Sequence, residues 1–209
     1  MRIDPRESRG SFDQLLRRIR ECKAARTCPS LTVRSYYFEP NPVTAGKWRQ
    51  DGMYLGKIDR RVVFVCESPG PSGRHATSIA VRRCWAESPR DRRFREILKE
   101  NGFHHCYITN TLKCGVRQGR RHTDKEIANC TGFLVRELEL LQPMIVVAVG
   151  GNALHTLRAW ALPQMAMPAV LFQVTHYAAR GNPREVWGRE FPELVRLLSR
   201  LKPRGKWRR

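Results

Sequence analysis

The sequence predicts a three-layer α/β fold, in which helices cover both faces of a central parallel sheet of four strands. Short apolar runs rich in β-branched residues alternate with helix-like stretches, at residues 62–66, 106–110, 144–149 and 170–174. A strand that is apolar throughout must be buried on both faces, and helical connections between such strands are typical of a parallel sheet. These two observations together predict the αβα arrangement.

Capping residues mark the helix boundaries in the middle of the chain. Thr123 and Glu126 form a capping box at the start of a helix predicted over residues 124–141. Gly102 is placed to end the helix predicted over residues 92–100, because glycine readily adopts the left-handed conformation that ends many helices. Further helices are predicted over residues 152–160 and 189–200.

The two ends of the chain carry less regular patterns. Ser11 and Gln14 form a second capping box ahead of an apolar helical pattern, which predicts a short N-terminal helix. Residues 29–60 are interrupted by prolines and glycines, so we expect a loop with an irregular strand there. The chain is expected to form one domain over residues 1–209, with residues 202–209 as a basic, mobile tail.

Composition indicates a polyanionic partner. The formal net charge is +20, from 39 basic and 19 acidic residues, and such an excess usually attracts nucleic acid. A cationic surface without a specific partner is the alternative.

No run of about 18 apolar residues exists, which argues against a membrane span, and the N-terminus lacks the apolar segment of a signal peptide. Seven cysteines without export signals indicate a reducing compartment, so we expect a cytoplasmic monomer that binds no membrane.

Polar or turn-forming residues follow each of the four predicted strands. Glu67, Asn110, Gly150 and His176 stand at or just beyond the carboxyl ends, where the ligand crevice of a parallel sheet forms. We therefore expect a carboxylate, an amide, a glycine turn and an imidazole to meet at one rim and to hydrogen-bond a planar polar ligand. The other histidines are expected to be surface or core residues: His75, His104, His105, His122 and His155.

Four cysteines could form a metal site. Five residues separate Cys22 from Cys28, and 15 separate Cys114 from Cys130. These spacings are not specific, and burial as small apolar side chains is the alternative explanation. Thiolates bind both zinc and iron–sulfur clusters, so the spacing leaves both open. The remaining cysteines are expected to be packing residues: Cys66, Cys84 and Cys106.

Several segments resemble the iron–sulfur uracil-DNA glycosylases, a group within the uracil-DNA glycosylase superfamily. VFVCESPG resembles their first motif, GEAPG, and YITNTLKC resembles their strand-end asparagine followed by a cluster cysteine. TDKEIANC resembles the next helix with its second cysteine, and VTHYAARGNP resembles a divergent closing His-Pro motif. The resemblance covers about residues 60–185, with the motifs in the family's order. It implies the family's αβα fold.

The resemblance also implies an activity, that of a monofunctional DNA glycosylase. Such an enzyme flips a deaminated base, most often uracil, out of DNA and hydrolyses its N-glycosidic bond to leave an abasic site. By the resemblance Asn110 would read the base, and His176 would stabilise negative charge on the departing base. Glu67 would hold or polarise the attacking water. Trp85 would stack on the base, in a pocket that also includes Ser68 and Gly70.

Further roles follow from the same resemblance. Cys22, Cys28, Cys114 and Cys130 would hold a 4Fe–4S cluster with a structural role, with zinc as the alternative. The loop between the last two cysteines would then present guanidinium groups to DNA phosphates, which fix register without reading sequence. The residues expected to contact DNA are Arg117, Arg120 and Arg121 in that loop and Arg180 at the minor groove or the gap left by the flipped base.

The chain departs from the family pattern at several motif positions. Cys66 stands in place of the first motif's glycine, Ser68 in place of its alanine, and Tyr177 in place of the proline after the closing histidine. No aspartate occupies the position of the water-activating carboxylate found in the best-known uracil glycosylases. Two alternatives therefore stay open: a glycosylase for hypoxanthine or xanthine, and a catalytically inactive nucleic-acid-binding relative.

Overall fold

A parallel sheet of four strands lies at the centre of the computed structural model. The structure describes residues 14–15, 18–19, 22, 31–33, 59–68, 89–103, 106–113, 115–116, 122–166, 169–177, 179, 181 and 183–201. In chain order the elements are β1 (Leu31–Val33), β2 (Asp59–Cys66), α1 (Pro89–Glu100), β3 (Cys106–Asn110), β4 (Gly115–Val116), α2 (Asp124–Leu141), β5 (Ile145–Val149), α3 (Gly151–Thr156), β6 (Val170–Val174) and α4 (Pro183–Arg200).

The central sheet has the strand order β3-β2-β5-β6, and all its pairings are parallel. Every residue of β3 and of β5 is buried, as continuous apolar strands require. Cys66 lies opposite Asn110, and Val65 lies opposite Ala148, so the carboxyl ends of β3, β2 and β5 are level. The predicted four-stranded parallel sheet is confirmed.

Helices cover both faces of the sheet. On one face α2 and α3 contribute Leu134, Leu138 and Ala153 to an apolar cluster. On the other face α1 and α4 pack around Phe64 of β2, whose ring contacts Phe94 at 6.2 Å and Phe191 at 6.1 Å between centroids. The three-layer αβα architecture predicted from the sequence is therefore confirmed.

The connections between strands create a crevice at the carboxyl end of the sheet. The chain leaves β2 through α1 on one face and leaves its neighbour β5 through α3 on the opposite face. Adjacent strands whose connections diverge in this way form a topological switch point, where open α/β sheets bind their ligands. The crevice therefore lies between the ends of β2 and β5, with β3 and β6 flanking it.

Most predicted boundaries agree with the structure, and the largest difference is at α4. This helix begins at Pro183, whereas the sequence predicted a start at residue 189. Proline is favoured in the first helical turn, and burial of Trp187, Phe191 and Leu194 on one face stabilises the added turns. The sequence obscured this start because glycine and proline inside the stretch lower its helix propensity.

The capping box predicted before α2 and the glycine predicted to end α1 are both present. Thr123 caps α2, and its capping box with Glu126 is complete. Gly102 has φ +79°, and its backbone N–H donates to the carbonyl of Lys99 at the end of α1. The continuation of α3 was not predicted in its detail, since Leu157–Ala161 forms a π-helical turn and Leu162–Gln164 a 3₁₀ turn.

Near the N-terminus, residues 14–15 and 18–19 are helical, with Leu15 and Ile19 buried against the same cluster as α2. The strands β1 and β4 pair antiparallel, a pairing that the predicted loops did not include. Ser11 and residues 202–209 lie outside the described residues. Within the described part of the chain, no helix is both long and apolar enough to cross a membrane.

Candidate active site

Asn110, at the carboxyl end of β3, carries an unpaired buried amide. The residue is 1% exposed, and neither its Oδ1 nor its Nδ2 has a hydrogen-bond partner among the described residues. Leaving a buried polar group unpaired costs about 1–3 kcal/mol. Such groups are uncommon in native proteins and call for an explanation. A ligand that presents one acceptor and one donor to this amide would remove the cost.

The turn that follows Asn110 is tied to the end of β2. The backbone N–H of Thr111 donates to the carbonyl of Cys66 (2.8 Å), and that of Leu112 donates to the carbonyl of Glu67 (3.0 Å). The hydroxyl of Thr111 donates to the same Glu67 carbonyl at 2.6 Å. The backbone positions of Asn110 and Glu67 are therefore fixed relative to each other.

Glu67 contacts a histidine that the sequence did not single out. Nε2 of His122 lies 3.3 Å from Oε1 of Glu67, and the side chains are 7% and 32% exposed respectively. His122 directly precedes Thr123, so the capping box of α2 fixes its backbone. The expectation that His122 is merely a surface or core residue missed this contact, because the two partners are far apart in sequence.

His176 reaches inward from the end of the edge strand β6 because its neighbour is a glycine. A Cβ on Gly150, which follows β5, would lie only 2.9 Å from the Cβ of His176. Gly150 has φ 93° and ψ 167°, a region occupied almost only by glycine. Its backbone N–H donates to the carbonyl of Val174 at 2.8 Å. The glycine turn thus lets the imidazole pack towards the switch point.

The backbone before His176 is anchored by α4. Both carboxylate oxygens of Glu190 accept from Thr175, one from its backbone N–H (2.7 Å) and one from its hydroxyl (2.8 Å). The indole N–H of Trp187 donates to the Thr175 carbonyl at 2.8 Å. On the other side, the N–H of Ala179 donates to the carbonyl of His176 (2.9 Å), which closes a turn. The histidine is therefore held by contacts before and after it.

Tyr177 stands where the resembled motif has proline, and it stacks with the histidine beside it. The rings of His176 and Tyr177 have centroids 4.3 Å apart and an interplanar angle of 25°. Tyr177 also stacks with the buried ring of Phe94, at 5.3 Å and 30°. Proline would restrain this segment through its fixed φ, whereas the tyrosine restrains it through ring contacts to α1.

The structure thus brings Asn110, Glu67, Gly150 and His176 to the same edge of the sheet. Ser68 is half-buried directly after Glu67. The other predicted site residues lie outside the described residues: Gly70, Trp85, Arg117, Arg120, Arg121 and Arg180.

Two of the four predicted cysteine ligands are described, namely the half-buried Cys22 and the buried Cys130. The N–H of Cys22 donates to the carbonyl of Ile19, whose side chain shares a buried cluster with Leu134, one turn after Cys130. Across the part of the chain that the structure describes, no three metal-binding side chains group together. Cys28 and Cys114 lie outside that part.

The described segments next to Cys28 and Cys114 are also joined, through strand pairing. β1 begins three residues after Cys28, β4 begins directly after Cys114, and these strands pair with each other. The segments flanking the four cysteines are therefore linked in two pairs. Thiolates, which all four cysteines can supply, are the donor type that iron–sulfur clusters prefer.

Comparison with known proteins assigns the family. The model of the uracil DNA glycosylase superfamily matches residues 53–202, which span the whole central sheet and all four labelled helices. The chain belongs to this superfamily. The polar strand ends described above therefore lie in a fold that the superfamily shares.

Two curated relatives are similar to part of the chain. A Type-4 uracil-DNA glycosylase of Thermotoga maritima is 34% identical over 101 residues, which cover 47% of this chain and 50% of the relative. A Type-4 uracil-DNA glycosylase of Archaeoglobus fulgidus is 43% identical over 44 residues, which cover 21% of this chain and 22% of the relative. The aligned segments thus span at most about half the length of these superfamily members.

The contact between Gly150 and His176 gives a first prediction. Gly150→Ala should lower the free energy of unfolding by about 1–3 kcal/mol, because alanine strains this backbone conformation and its methyl group overlaps His176. The NMR signals of the His176 imidazole should shift as the ring is displaced. Gly151→Ala is the matched control, since no atom lies within 4 Å of its added Cβ. Equal unfolding midpoints in urea for the two variants would contradict the prediction.

Proposed function

We propose that this superfamily member is a monofunctional DNA glycosylase that removes a deaminated base, with uracil as its main substrate. The observation that carries the proposal is the buried, unpaired amide of Asn110 beside the crevice. Uracil offers an acceptor at O4 and a donor at N3–H, which match the donor and acceptor of one amide. The names of the curated relatives and the net charge of +20, suited to DNA, support the same reading.

The same amide would reject cytosine. Cytosine presents an amino group in place of O4 and an unprotonated N3, so both of its contacts with a fixed Asn110 amide are mismatched. Each unpaired polar group costs about 1–3 kcal/mol in a buried site. Because a duplex hides the glycosidic bond, the nucleotide must first be flipped out, at a cost of a few kcal/mol that damaged or mispaired bases reduce.

His176 and Glu67 would share the charge that develops during bond cleavage. As the C1′–N1 bond breaks, the sugar becomes oxocarbenium-like and the base becomes anionic. An imidazole N–H of His176 would donate to the base carbonyl oxygen and stabilise the anion, as an oxyanion hole does. Glu67 would orient water towards C1′ and accept its proton, while His122 holds the carboxylate. The products are an abasic site and the free base.

Hypoxanthine is the second candidate substrate, with xanthine beside it. Its O6 and N1–H present the same acceptor–donor pair as O4 and N3–H of uracil, so the Asn110 amide matches both bases. The departures at Cys66 and Ser68 lie in the motif next to the crevice and favour a changed pocket. A catalytically inactive nucleic-acid-binding relative is the remaining alternative.

Four thiolates, from Cys22, Cys28, Cys114 and Cys130, would hold a structural 4Fe–4S cluster. When bound, it would cross-link the N-terminal segment to α2 and stiffen the loop between the last two cysteines. That loop would place its guanidinium groups on DNA phosphates, and Arg180 would enter the minor groove. The protein would act on DNA in the cytoplasm as a monomer.

A base panel tests the substrate. Single-turnover incubation with oligonucleotides carrying uracil, hypoxanthine, xanthine or cytosine, followed by alkali, reveals abasic sites. We expect cleavage at uracil and none at cytosine, and Asn110→Ala should reduce the uracil rate by about 100-fold or more, as loss of a contact of several kcal/mol implies. Asn129→Ala, at an exposed position of α2, is the control. Absence of cleavage on all four substrates would favour the inactive binder.

The contact between His122 and Glu67 gives a kinetic prediction. Glu67→Gln should lower the single-turnover rate by about 100-fold or more, the usual contribution of a general base. His122→Gln should have a smaller effect, and the double variant should be no slower than Glu67→Gln, because the histidine acts through the carboxylate. Glu139→Gln, which alters a surface ion pair, is the control. An unchanged rate in Glu67→Gln would remove this residue from the mechanism.

Metal analysis tests the cofactor. The purified protein should be brown, with visible thiolate-to-iron absorbance and about four iron and four sulfide ions per chain. Cys130→Ser should lose the colour and the iron, whereas Cys66→Ser, in β2, should keep both. A colourless protein with one zinc ion would establish the alternative. A protein without either metal would refute a metal site at these cysteines.

A further inference from the structure

A buried ion pair lies directly behind the base-reading residue. Lys113 and Glu137 are 2% and 0% exposed, and the ammonium donates to the Glu137 carboxylate. The ammonium also donates to the hydroxyl of Thr109 at 2.8 Å and to the backbone carbonyl of Asn110 at 2.7 Å. The carboxylate in addition accepts from the hydroxyls of Thr109 (2.9 Å) and Tyr107 (3.2 Å). The group joins the end of β3 to the C-terminal half of α2.

Every polar group of this network is paired. The ammonium has three N–H donors, and three acceptors surround it. Both oxygens of Glu137 accept hydrogen bonds, and Thr109 both accepts and donates. A fully satisfied network of this kind is rigid and specifies one geometry. The carbonyl of Asn110 is therefore held in one position.

The network is an inefficient way to stabilise the fold. Two charges taken out of water lose their hydration, and a well-packed apolar pair of similar volume is often at least as stabilising. Its distinctive feature is its position, because it fixes the backbone of Asn110 from one side while the Glu67 carbonyl fixes the next two residues from the other. The turn at residues 110–113 is thus clamped between β2 and α2.

The orientation of the Asn110 amide matters because no described protein group bonds to either of its polar atoms. Rotation of the amide plane by about 180° would exchange oxygen and nitrogen, since this torsion is roughly two-fold. The rotated amide would match cytosine rather than uracil. Since no hydrogen bond from the described residues selects one of the two orientations, we attribute the selection to packing of the side chain on a fixed backbone.

We propose that Lys113 and Glu137 are positioning residues that set the preference for uracil over cytosine by fixing the backbone of Asn110. The inference rests on the proposed function of Asn110 as the base reader. Neither side chain touches the base. Through Glu137 the position of the amide is linked to α2, the helix that also carries Cys130.

The decisive variant is the double substitution Lys113→Met/Glu137→Met, which removes both charges and keeps similar volumes. Binding is measured with oligonucleotides carrying 2′-fluoro-2′-deoxyuridine or 2′-fluoro-2′-deoxycytidine, whose fluorine opposes the oxocarbenium-like state and prevents cleavage. We expect the double variant to stay folded and its preference for the uracil probe to fall at least tenfold. Arg136→Met/Glu139→Met, at an exposed pair on the same helix, should leave the preference unchanged.

A second variant separates positioning from stability. Tyr107→Phe removes a hydroxyl that contacts Glu137 but not Asn110, so it should lower the melting temperature and leave the preference unchanged. If Tyr107→Phe reduced the preference as much as the double variant, the network would be structural only.

Should the double variant not fold, Thr109→Val, which removes one acceptor of Lys113 and keeps the ion pair, should reduce the preference. An unchanged preference in Thr109→Val would then overturn the proposal.

An NMR measurement on Asn110 tests the positioning role without relying on enzymatic activity. The side-chain NH₂ signal of Asn110, assigned by its loss in Asn110→Asp, should have a high order parameter in the wild type and a lower one in the double variant. Equal order parameters would overturn the positioning role. If the wild type neither cleaved uracil nor preferred the uracil probe, the proposed function would fail, and the order parameters alone would still decide whether Lys113 and Glu137 hold Asn110.

Discussion

The parallel pairing of β2 with both β3 and β5 is the constraint on which the rest of the structure depends. It aligns the carboxyl ends of these strands, with Cys66 opposite Asn110 and Val65 opposite Ala148. Because the connections from β2 and β5 leave on opposite faces, a crevice opens between them without the help of any particular side chain. A residue that directly follows one of these strands therefore lies at the edge of the crevice. Burial of the strands on both faces keeps this frame rigid.

Two kinds of polar residue meet at the end of β3, and their hydrogen bonding distinguishes them. Lys113 and Glu137 are fully buried and fully paired, so they hold the chain in place. The amide of Asn110 is equally buried, but no residue that the structure describes hydrogen-bonds to it, so it can bind a ligand. In our proposal, the paired network beside it keeps the amide of Asn110 in a fixed position for a base.

The surroundings of His176 explain how a motif can change while its histidine keeps its place. Tyr177 stands where the resembled motif has proline, and it stacks with both His176 and Phe94. Gly150 provides the space on the inner side, and the Glu190 carboxylate anchors the preceding residue. Contacts from three different elements thus replace one restricted torsion angle. Because the restraint comes from packing, the motif can diverge as long as these contacts persist.

The local sequence pattern was enough to predict several secondary-structure elements and two of the candidate site residues. The boundaries of β3, β6 and α2 follow from apolar periodicity and a capping box, because these signals lie within a few residues of the structure they specify. Asn110 and His176 could be found because strand ends are visible in the sequence. The contact of His122 with Glu67 and the network around Glu137 could not be found, since their partners are dozens of residues apart in the sequence. Only the folded sheet and α2 bring them together, because long-range side-chain contacts depend on three-dimensional packing, which local periodicity does not encode.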